Sequence, residues 1–391
     1  MNKKFKHKLA HNTIEKSEIS KLSKWLLKDE KLTMGNKTNL FQKKFSNFLK
    51  IKNSIFVNSG SSANLLIAQS LLEANYLKNK VIIAPALSWV TTITPFLQLG
   101  YKVELCDTNF RNLGLDLDHL SYLCKKHKPS AIILVHVLGH SNDMTEILKI
   151  CRKYNIVLIE DTCEAIGSEY KNKKLGTFGL ASSFSFYYGH HISTIEGGMT
   201  CTNDKKLSRV MTSVRSHGWL RDIDKKFTNK LYQKNNISNF QSNFSFFHSG
   251  FNIRSTEINA FLGLSQLKKI RNIVKLRKRN FYRYKKELAN FFSVNCKTQN
   301  LSNFGYATLV KNREELFNHL NDKGVECRPI ISGNIASQPF WKKAYRRKNY
   351  LPNADLINDY GIYLPNHANQ KNRDIEFICR EFKKVAEPLI I

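Results

Sequence analysis

The chain has 391 residues, of which 42% are hydrophobic and 11% aromatic, and a formal net charge of +31. This apolar content can bury a large core, which excludes a disordered chain, and the length suggests about two domains. The charge favours anionic partners. However, the lysines and arginines are dispersed, and no zinc-finger or aromatic RNA-binding pattern accompanies them, so we expect no nucleic-acid partner.

The cysteines and the N-terminus exclude further classes of protein. Eight cysteines stand at positions 106, 124, 151, 163, 201, 296, 327 and 379. None forms a C-x-x-C pair, so we expect no metal site. The first sixteen residues, "MNKKFKHKLAHNTIEK", are basic but lack the apolar stretch of a signal peptide. No apolar run approaches the length of a membrane span, so the sequence predicts a cytoplasmic protein with no membrane partner.

The first half of the chain alternates helical and strand patterns. "SEISKLSKWLLKD" (17–29) has the apolar spacing of a helix, and "IFVNSGSSANLLIAQSLL" (55–72) predicts a strand, a glycine turn and a helix. Further apolar runs predict strands: "VIIAPA", "KVELCD", "AIILVHV", "IVLIED", "SSFSFYY" and "GMTCT". Near-continuous apolar strands separated by helices predict an α/β protein whose mostly parallel central sheet is covered on both faces.

The second half predicts a smaller domain. Residues 221–249 are polar and rich in Asn and Lys, which favours a long loop. Residues 256–288 have the pattern of a long helix that leads into a C-terminal α/β domain. Within that domain we expect strands near 306–311 and 325–331 and a final helix near 373–385. The predicted domains are 1–266, which is large, and 267–391, which is small.

Three short stretches have the residue types of a cofactor site. "NSGSSANLL" (58–66) ends a strand and opens a helix, so its backbone N–H groups and hydroxyls can bind a phosphate, although such turns also serve only as helix caps. In "IEDTCEAIG" (159–167), Asp161 ends an apolar strand and can either hold a protonated ring nitrogen or cap a helix. In "PALSWVTT" (85–92), Trp89 can stack on a flat heterocycle or belong to the core.

A fourth stretch, "SFYYGHHISTIEGG" (185–198), places two histidines in a turn between two apolar segments. In their order along the chain, these four stretches indicate a site for pyridoxal 5′-phosphate (PLP). They resemble the DegT/DnrJ/EryC1/StrS family of sugar aminotransferases, and the resemblance runs from about residue 33 to 370. It implies the PLP-dependent transferase fold type I, the fold of aspartate aminotransferase.

The resemblance has one departure at its most important position. In that family a lysine six residues before the Glu of Glu-Gly-Gly forms the Schiff base with PLP, whereas here this residue is His190. The nearest lysines, Lys174 and Lys205, lie outside the turn. Histidine cannot form a Schiff base, but it can carry a proton. PLP or its amine form, pyridoxamine 5′-phosphate (PMP), would therefore be bound non-covalently.

The chain resembles more closely the GDP-4-keto-6-deoxy-D-mannose 3-dehydratase branch, in which histidine replaces this lysine. The further shared stretches are "LTMGNK", "RSHGWLRD", "SGFNIRSTEINAFLG", "GVECRPIISGN" and "YLPNHA". The CDP-hexulose 3-dehydrase branch also carries histidine but needs an iron–sulfur centre, and the cysteines here are not grouped to ligate one. Two alternatives stay open: an ordinary nucleotide-sugar aminotransferase, which the missing lysine disfavours, and a catalytically silent PLP-binding or regulatory protein.

The resemblance implies an activity and its partners. A nucleotide-activated 4-keto-6-deoxyhexose would lose its C3 hydroxyl to give a 3,6-dideoxy-4-keto sugar, with glutamate as the amino donor. The product class belongs to deoxysugar biosynthesis for O-antigen and lipopolysaccharide. GDP is favoured, while CDP, UDP and dTDP stay open. The family also implies a homodimer with shared active sites.

The same resemblance assigns roles to individual residues. His190 would be the catalytic acid and base, and His191 a structural neighbour. The residues that would bind the cofactor are Gly60, Ser61, Trp89, Asp161, Glu164, Ser185 and Asn252. Those that would bind the substrate are His217, Arg221, Arg254 and Arg328. Asn252 and Arg254 would reach the neighbouring subunit's site, while Arg221 and Arg328 could equally be surface charges.

Overall fold

The computed structural model describes residues 5–28, 31–346 and 349–389. Its α-helices are α1 Lys16–Leu26, α2 Asn36–Leu49, α3 Gly60–Glu73, α4 Val90–Gln98, α5 Leu117–His127, α6 Met144–Tyr154, α7 Lys205–Val214, α8 Lys225–Lys234, α9 Asn239–Ser242, α10 Glu257–Glu287, α11 Arg313–Asp322, α12 Pro339–Ala344, α13 Pro352–Tyr360 and α14 Asn372–Lys383. Its strands are β1 Asn53–Val57, β2 Val81–Pro85, β3 Lys102–Cys106, β4 Ala131–Val135, β5 Val157–Asp161, β6 Glu169–Tyr170, β7 Lys173–Lys174, β8 Ala181–Ser185, β9 Gly198–Thr202, β10 Thr298–Asn300, β11 Gly305–Leu309 and β12 Gly361–Pro365.

A seven-stranded sheet in the order β1-β9-β8-β5-β4-β2-β3 forms the centre of the protein. Strand β9 pairs antiparallel with both β1 and β8, and the other pairs in this sheet are parallel. The mostly parallel sheet expected from the apolar runs is therefore confirmed. The carboxyl ends of β1, β2, β4, β5 and β8 all lie at one edge of the sheet, which is where ligands bind in open α/β sheets.

Alternate residues of each central strand face two separate cores. In β4, Ala131 and Ile133 pack in the layer that contains α3, α4 and α7, whereas Ile132 and Leu134 pack against α5 and α6. Side chains on a strand point alternately to opposite faces, so a strand covered on both sides is apolar throughout. This explains why the strands of this sheet are continuous apolar runs.

A phenylalanine-rich cluster joins α2 and α10 to the β1, β8 and β9 end of the sheet. Phe41 of α2 is fully buried, with its ring centroid 5.0 Å from that of Phe56 and 5.4 Å from that of Phe186. The second half of α10 continues to the C-terminal part of the chain, where β11, β12, α11 and α14 enclose their own apolar core. Helix α10 is continuous across residues 266 and 267, and the domain boundary predicted there stays a prediction.

Two predictions about secondary structure were wrong. Residues 221–249 are not one long loop, because they contain α8 and α9. Asp224 accepts a hydrogen bond from the Phe227 N–H, and Ser238 forms a reciprocal capping box with Gln241. Such caps satisfy the free N–H groups at a helix start and stabilise even a polar helix.

The strand predicted at 325–331 does not form. Val325 and Arg328 make only isolated bridges, to His7 and Tyr363 respectively. Pro329 lacks the N–H that would continue the ladder, which explains the interruption. The predicted strand near 306–311 and the helix near 373–385 are confirmed by β11 and α14, whereas Asp29, the last residue of the first predicted helix, lies outside the described residues.

No helix in the described parts of the chain is long and apolar enough to cross a membrane.

The contact between α2 and α10 makes a testable prediction about stability. A Cβ added at Gly263 of α10 would lie 2.6 Å from a ring carbon of Phe41. Alanine normally stabilises a helix interior by about 1 kcal/mol relative to glycine. Here the ring is held by Phe56 and Phe186, so we expect Gly263→Ala to destabilise the protein by about 1–3 kcal/mol in urea unfolding. Lys268→Ala, on the exposed face of the same helix, is the control and should change stability little; a stabilised Gly263→Ala would contradict this packing.

Candidate active site

Three strand ends converge at Gly60. A Cβ added to Gly60 would lie 2.7 Å from Cβ of Ser185 and 3.1 Å from Sγ of Cys163. Gly60 lies shortly after β1, Ser185 ends β8 and Cys163 lies shortly after β5. In the sheet, β8 is next to β5, and β9 lies between β8 and β1. The absence of a side chain at Gly60 therefore allows the start of α3 to approach the ends of two other strands.

Gly197 and Gly198, which follow the turn that contains His190 and His191 (the histidine turn), also allow close backbone contacts. A Cβ on Gly198 would lie 2.2 Å from the Ser59 carbonyl oxygen, and one on Gly197 would lie 2.1 Å from Oγ1 of Thr194. The turn is closed by hydrogen bonds from the Phe186 N–H to the Gly197 carbonyl and from the Thr194 N–H to the Phe186 carbonyl. Backbone contact at the glycines therefore packs the histidine turn directly against the Ser59 loop.

The start of α3 can bind an anion. The Ser59 side chain caps the helix by accepting a hydrogen bond from the Ser62 N–H, and Oγ of Ser61 lies 2.9 Å from Oγ1 of Thr91. The N–H groups of Gly60 and Ser61 are in the first helical turn, where no carbonyl of the same helix can accept from them. For this stretch the sequence left two alternatives open, a phosphate site or a helix cap alone. The cap is present, and the N–H groups of the first helical turn are also suited to bind a phosphate.

Asp161 is buried at the end of β5 and held by three donors. Its Oδ2 accepts hydrogen bonds from Nδ2 of Asn64 at 2.9 Å and Oγ1 of Thr92 at 2.8 Å, and its Oδ1 accepts from the Cys163 N–H at 3.2 Å. The side chain is 4% exposed. These donors fix the orientation of the carboxylate, which suits pairing with a protonated ring nitrogen.

His190 lies across the site from Asp161 and is bound in one tautomer. Its Nδ1 is 2.9 Å from the Cys163 carbonyl oxygen. A carbonyl only accepts, so Nδ1 carries the hydrogen and Nε2 of the neutral ring keeps a free lone pair. Burial lowers the pKa of His190 to about 4, the Cys163 carbonyl and Asp161 oppose that shift, and Arg277 adds to it. At neutral pH the ring is therefore an uncharged base.

Glu164 is the second titratable group at this edge. Its Oε2 accepts a hydrogen bond of 2.8 Å from the Leu138 N–H, which lies after β4. Burial raises the pKa of Glu164 to about 7, with the Leu138 N–H lowering it and Asp161 raising it further. Near neutral pH this carboxyl can therefore either donate or accept a hydrogen bond.

His191 has a different environment from its neighbour. It is fully buried, and its Nε2 lies 2.9 Å from the Ser302 carbonyl oxygen, while Nδ1 has no hydrogen-bond partner within the part of the chain that the structure describes. Burial and the nearby Arg277 hold the pKa of His191 well below its usual value. A ring bonded to the backbone of a distant segment agrees with the structural role predicted for it.

Trp89 and two tyrosines form the exposed rim of the site. Trp89 is the residue before α4 and is 55% exposed, so it does not belong to the core. Tyr187 and Tyr188, in the histidine turn, are 50% and 41% exposed. Aromatic faces open to solvent beside a buried carboxylate can stack on a flat ring.

His217, Asn252 and Arg254 form a separate group on this side of the protein. Nε of Arg254 donates to Oδ1 of Asn252 at 3.0 Å, and its Nη2 lies 3.4 Å from Nε2 of His217. The backbone of Arg254 bridges to Val57 at the end of β1. Among the described residues, no hydrogen bond joins this group to Ser61, Asp161 or His190.

Arg221 and Arg328 are the remaining two predicted residues. Arg221 is exposed, donates to the Asn243 carbonyl, and has its guanidinium carbon 3.9 Å from the Trp219 ring centroid, so in one subunit it has the surroundings of a surface charge. The Arg328 side chain is 58% exposed and pairs with Glu326 at 2.7 Å. Its backbone bridges to Tyr363, and burial and the carboxyl of Glu164 raise the pKa of that tyrosine, so Arg328 lies near the Glu164 side of the site.

The sequence missed residues that support the site. Asn64 and Thr92, which orient Asp161, lie inside two of the quoted stretches, and their position one helical turn after Gly60 and Trp89 is a signal that could have found them. Phe304 has its ring centroid 5.1 Å from that of His190. Nothing local in the sequence indicates this contact, because it joins residues more than a hundred positions apart.

Arg277 was also missed. This guanidinium is 3% exposed and donates to the carbonyls of Asn303, Phe304 and Asn366, and no carboxylate pairs with it among the residues that the structure describes. Its guanidinium carbon lies 5.7 Å from the centroid of the Phe304 ring, which His190 also contacts. A buried cation in this position disfavours a second positive charge on His190.

A comparison with protein families agrees with this geometry. The family model described as the DegT/DnrJ/EryC1/StrS aminotransferase family matches residues 13–383. The GDP-4-keto-6-deoxy-D-mannose 3-dehydratase of Yersinia pseudotuberculosis is 31% identical over 388 residues, which covers 96% of this chain and 98% of the relative. The resemblance predicted from the sequence, for both the family and the dehydratase branch, is confirmed.

Solved structures of the same enzyme class are similar over the whole fold. The Escherichia coli GDP-4-keto-6-deoxy-D-mannose-3-dehydratase with bound hydrated PLP matches with a TM-score of 0.89 at 30% identity, covering 97% of this chain and all of that one. A structure of GDP-4-keto-6-deoxymannose-3-dehydratase with a trapped PLP–glutamate geminal diamine matches with a TM-score of 0.88 at 30% identity, covering 96% and 100%. The predicted PLP-dependent transferase fold is confirmed.

The residues present fit a flat cofactor that carries a phosphate. The first turn of α3 offers N–H groups beside the Ser61 hydroxyl, and Asp161 is held as a fixed carboxylate beneath α4. Trp89 adds an exposed aromatic face. The single group that a covalently anchored cofactor would need, an amine at position 190, is absent, and an imidazole stands there instead.

The tautomer and charge of His190 can be measured. Because burial lowers its pKa to about 4, we expect the ring to be neutral at pH 7 and to gain a proton only as the pH falls toward 4, rather than near the usual value of about 6.5. Nitrogen-15 NMR of imidazole-labelled protein should show hydrogen on Nδ1, with His190→Asn used to assign the signal. Titration of His190 near pH 6.5 would contradict the proposed environment.

Proposed function

Because the chain belongs to the DegT/DnrJ/EryC1/StrS aminotransferase family, we propose that it is a PLP/PMP-dependent 3-dehydratase of a nucleotide-activated 4-keto-6-deoxy sugar. The substrate is GDP-4-keto-6-deoxy-D-mannose and the product is the 3,6-dideoxy-4-keto sugar. Glutamate supplies the amino group and becomes 2-oxoglutarate, and that amino group leaves as ammonia when the dehydrated product is hydrolysed. The dehydratase from Yersinia, at 31% identity over nearly the full chain, supports this choice. The single observation that carries the proposal is a neutral histidine at the position of the family's lysine.

Each part of the cofactor has a residue suited to hold it. Gly60, Ser61 and Ser185 would bind the phosphate, since two lie in the first turn of α3 and the third faces Gly60. Asp161 would pair with the ring nitrogen and Trp89 would stack on the ring. When bound, the cofactor supplies an electron sink that stabilises negative charge next to its C4′ atom.

His190 moves the proton. Its Nε2 lone pair would accept the proton from C4′, and the imidazolium so formed would return a proton to the leaving C3 hydroxyl, so that the protons balance. Burial favours the neutral ring, so the imidazolium that forms when the ring takes up a proton is a stronger acid than an exposed imidazolium and can give that proton to the leaving hydroxyl group. The Cys163 carbonyl keeps the ring oriented through both transfers because it holds Nδ1, not Nε2.

Glu164 would bind the ring hydroxyl or the amino group of the cofactor. With a pKa raised to about 7, it can act as donor or acceptor near neutral pH. Its bond to the Leu138 N–H fixes one carboxyl oxygen and leaves the other for the ligand.

We propose a homodimer in which the sites are shared. Asn252 and Arg254 have no hydrogen bond to the pocket residues of their own chain in the described structure, and Asn252 is exposed. Asn252 of the partner subunit would add a donor to the cofactor site, and Arg254, with His217, Arg221 and Arg328, would bind the substrate diphosphate. Isologous dimers are the commonest assembly of soluble proteins. Nucleotide-sugar chemistry and cysteines without disulfides suit a cytoplasmic enzyme of O-antigen biosynthesis.

Turnover with a keto-sugar nucleotide tests the function. Purified protein with PMP and glutamate should convert GDP-4-keto-6-deoxy-D-mannose to a product with one oxygen atom fewer. Mass spectrometry of the nucleotide sugar measures this conversion. His190→Asn keeps a polar side chain but cannot carry the proton, so we expect it to bind PMP and substrate while dehydration falls at least roughly 10²-fold.

His190→Lys is the matched variant for the same position. It restores the amine, so borohydride should fix the cofactor to it but not to the wild-type protein, and dehydration should be lost. An amino-sugar product from the wild-type enzyme would instead identify an aminotransferase. Binding of PLP without turnover of any keto-sugar nucleotide would identify a silent binding protein.

Mixing two inactive variants tests the shared site. In a hybrid of Asn252→Ala and His190→Asn subunits, one of the two sites would contain both native residues if Asn252 acts across the interface. After subunit exchange at equal amounts, we expect about a quarter of wild-type activity to return, because half of the dimers are hybrids and each has one restored site. No recovery, with exchange verified by native mass spectrometry, would mean that Asn252 acts within its own subunit.

A further inference from the structure

A cysteine, a histidine and an asparagine form a second cluster outside the proposed pocket. Sγ of Cys296 lies 3.2 Å from Nδ1 of His140 and 2.8 Å from Oγ1 of Thr298. His140 follows the short 3-10 helix Val137–Gly139 after β4, whereas Cys296 precedes β10. The cluster therefore joins the large sheet to the chain that leads into the C-terminal part.

Asn303 sets the tautomer of His140. Its Nδ2 donates to the Leu138 carbonyl at 3.0 Å and lies 3.2 Å from Nε2 of His140, and its Oδ1 accepts from Nδ2 of Asn366 at 2.7 Å. These bonds fix the orientation of the amide, so Nε2 of His140 is an acceptor. The hydrogen of the neutral ring is therefore on Nδ1 and points to Sγ of Cys296.

The hydroxyl of Thr298 is oriented toward the same sulfur. Its Oγ1 lies 2.8 Å from Sγ, accepts a hydrogen bond from the Ser141 N–H at 2.8 Å and is 3.0 Å from Oγ of Ser141, which can also accept its proton. The Nδ1–H of His140 and the hydroxyl of Thr298 are thus the two polar groups beside the sulfur. A nucleophile beside a histidine that a third residue orients is the arrangement that activates thiols in proteins.

The other cysteines have surroundings of the opposite kind. Cys163 and Cys296 are partly exposed, and the remaining six are buried. Burial and the carboxylate of Asp161 hold the pKa of Cys163 well above its usual value. Burial also raises the pKa of Cys296, but the positive charge that His140 carries when it is protonated, together with the hydrogen bonds from His140 and Thr298, outweighs burial and brings the pKa to about 7.

Few charges face the cluster apart from His140. Lys297, the next residue, pairs with Asp143 at 2.7 Å, and Asp143 also accepts from the hydroxyl of Tyr170. The ring of Phe281 in α10 covers His140, with the centroids 5.4 Å apart. The opposite charges of Lys297 and Asp143 largely cancel, so the groups hydrogen-bonded to Sγ of Cys296 have the larger effect on the pKa of this thiol.

We propose that Cys296 is a modification site of this protein, a nucleophilic thiol held by His140 and Thr298 that reacts with soluble peroxides. In the reaction, the thiolate attacks one oxygen of hydrogen peroxide, an S–O bond forms and the O–O bond breaks. The hydroxide that leaves takes up the proton that the thiol released to solvent, so the products are a sulfenic acid and water. The sulfur is oxidised by two electrons to sulfenic acid and the peroxide is reduced.

Peptide mapping of the full-length protein tests this site. Brief treatment with a limiting amount of hydrogen peroxide, followed by dimedone, should label Cys296 first, with Cys163 as the partly exposed control in the same molecule. The iodoacetamide reaction of Cys296 should rise with a midpoint near pH 7, rather than near the ordinary thiol value of about 8.5. Labelling that is equal at both cysteines, or confined to Cys163, would overturn the proposal.

Two variants separate an activated thiol from one that is merely accessible. His140→Gln removes the Nδ1 donor, and Thr298→Val removes the hydroxyl while keeping the shape of the side chain. In each, the alkylation midpoint of Cys296 should move toward pH 8.5, and at pH 6 the rate in His140→Gln should fall about five-fold. An unchanged midpoint in both variants, with native circular dichroism, would overturn the role of these donors. The readout needs no substrate, so it is independent of the proposed dehydratase activity.

Discussion

The hydrogen bond between Nδ1 of His190 and the Cys163 carbonyl is the interaction on which the site depends. It ties the histidine turn to the end of β5, two residues after Asp161. It also decides which nitrogen is free, because a carbonyl leaves only Nε2 without hydrogen. The bond is possible because Gly60 and Gly198 let three backbone segments meet where side chains would collide.

The surroundings of His190 favour its neutral form by more than burial. Arg277 is a buried cation bound to backbone carbonyls, and both it and the histidine lie beside the Phe304 ring. Asp161 opposes this effect, but its carboxylate is already engaged by Asn64 and Thr92. His190 as a neutral base, Asp161 as a fixed carboxylate and Glu164 with its raised pKa thus lie at one edge of the sheet. His190 and Glu164 can exchange protons there, whereas Asp161 provides the negative charge.

The errors of sequence interpretation have identifiable causes. In residues 221–249, helix α8 is stabilised by an Asp224 cap, a local signal that a polar composition obscured. At 325–331, apolar residues on both sides of Pro329 favoured a strand, although proline cannot continue a ladder of hydrogen bonds. The alternation of strands and helices in residues 53–202 was predicted well, because strands buried on both faces must be apolar throughout.

By itself the sequence determined the mostly parallel sheet, the family and the replacement of lysine by His190, because each is written in contiguous residues: apolar runs, a glycine turn and the spacing to Glu-Gly-Gly. Only the tertiary structure decided the tautomer of His190, the buried charge of Arg277 and the surface position of Arg221. The physical reason is the separation along the chain of the residues that determine each property. Periodicity and turns arise from near neighbours, whereas pKa values and hydrogen-bond partners depend on segments brought together from distant parts of the chain.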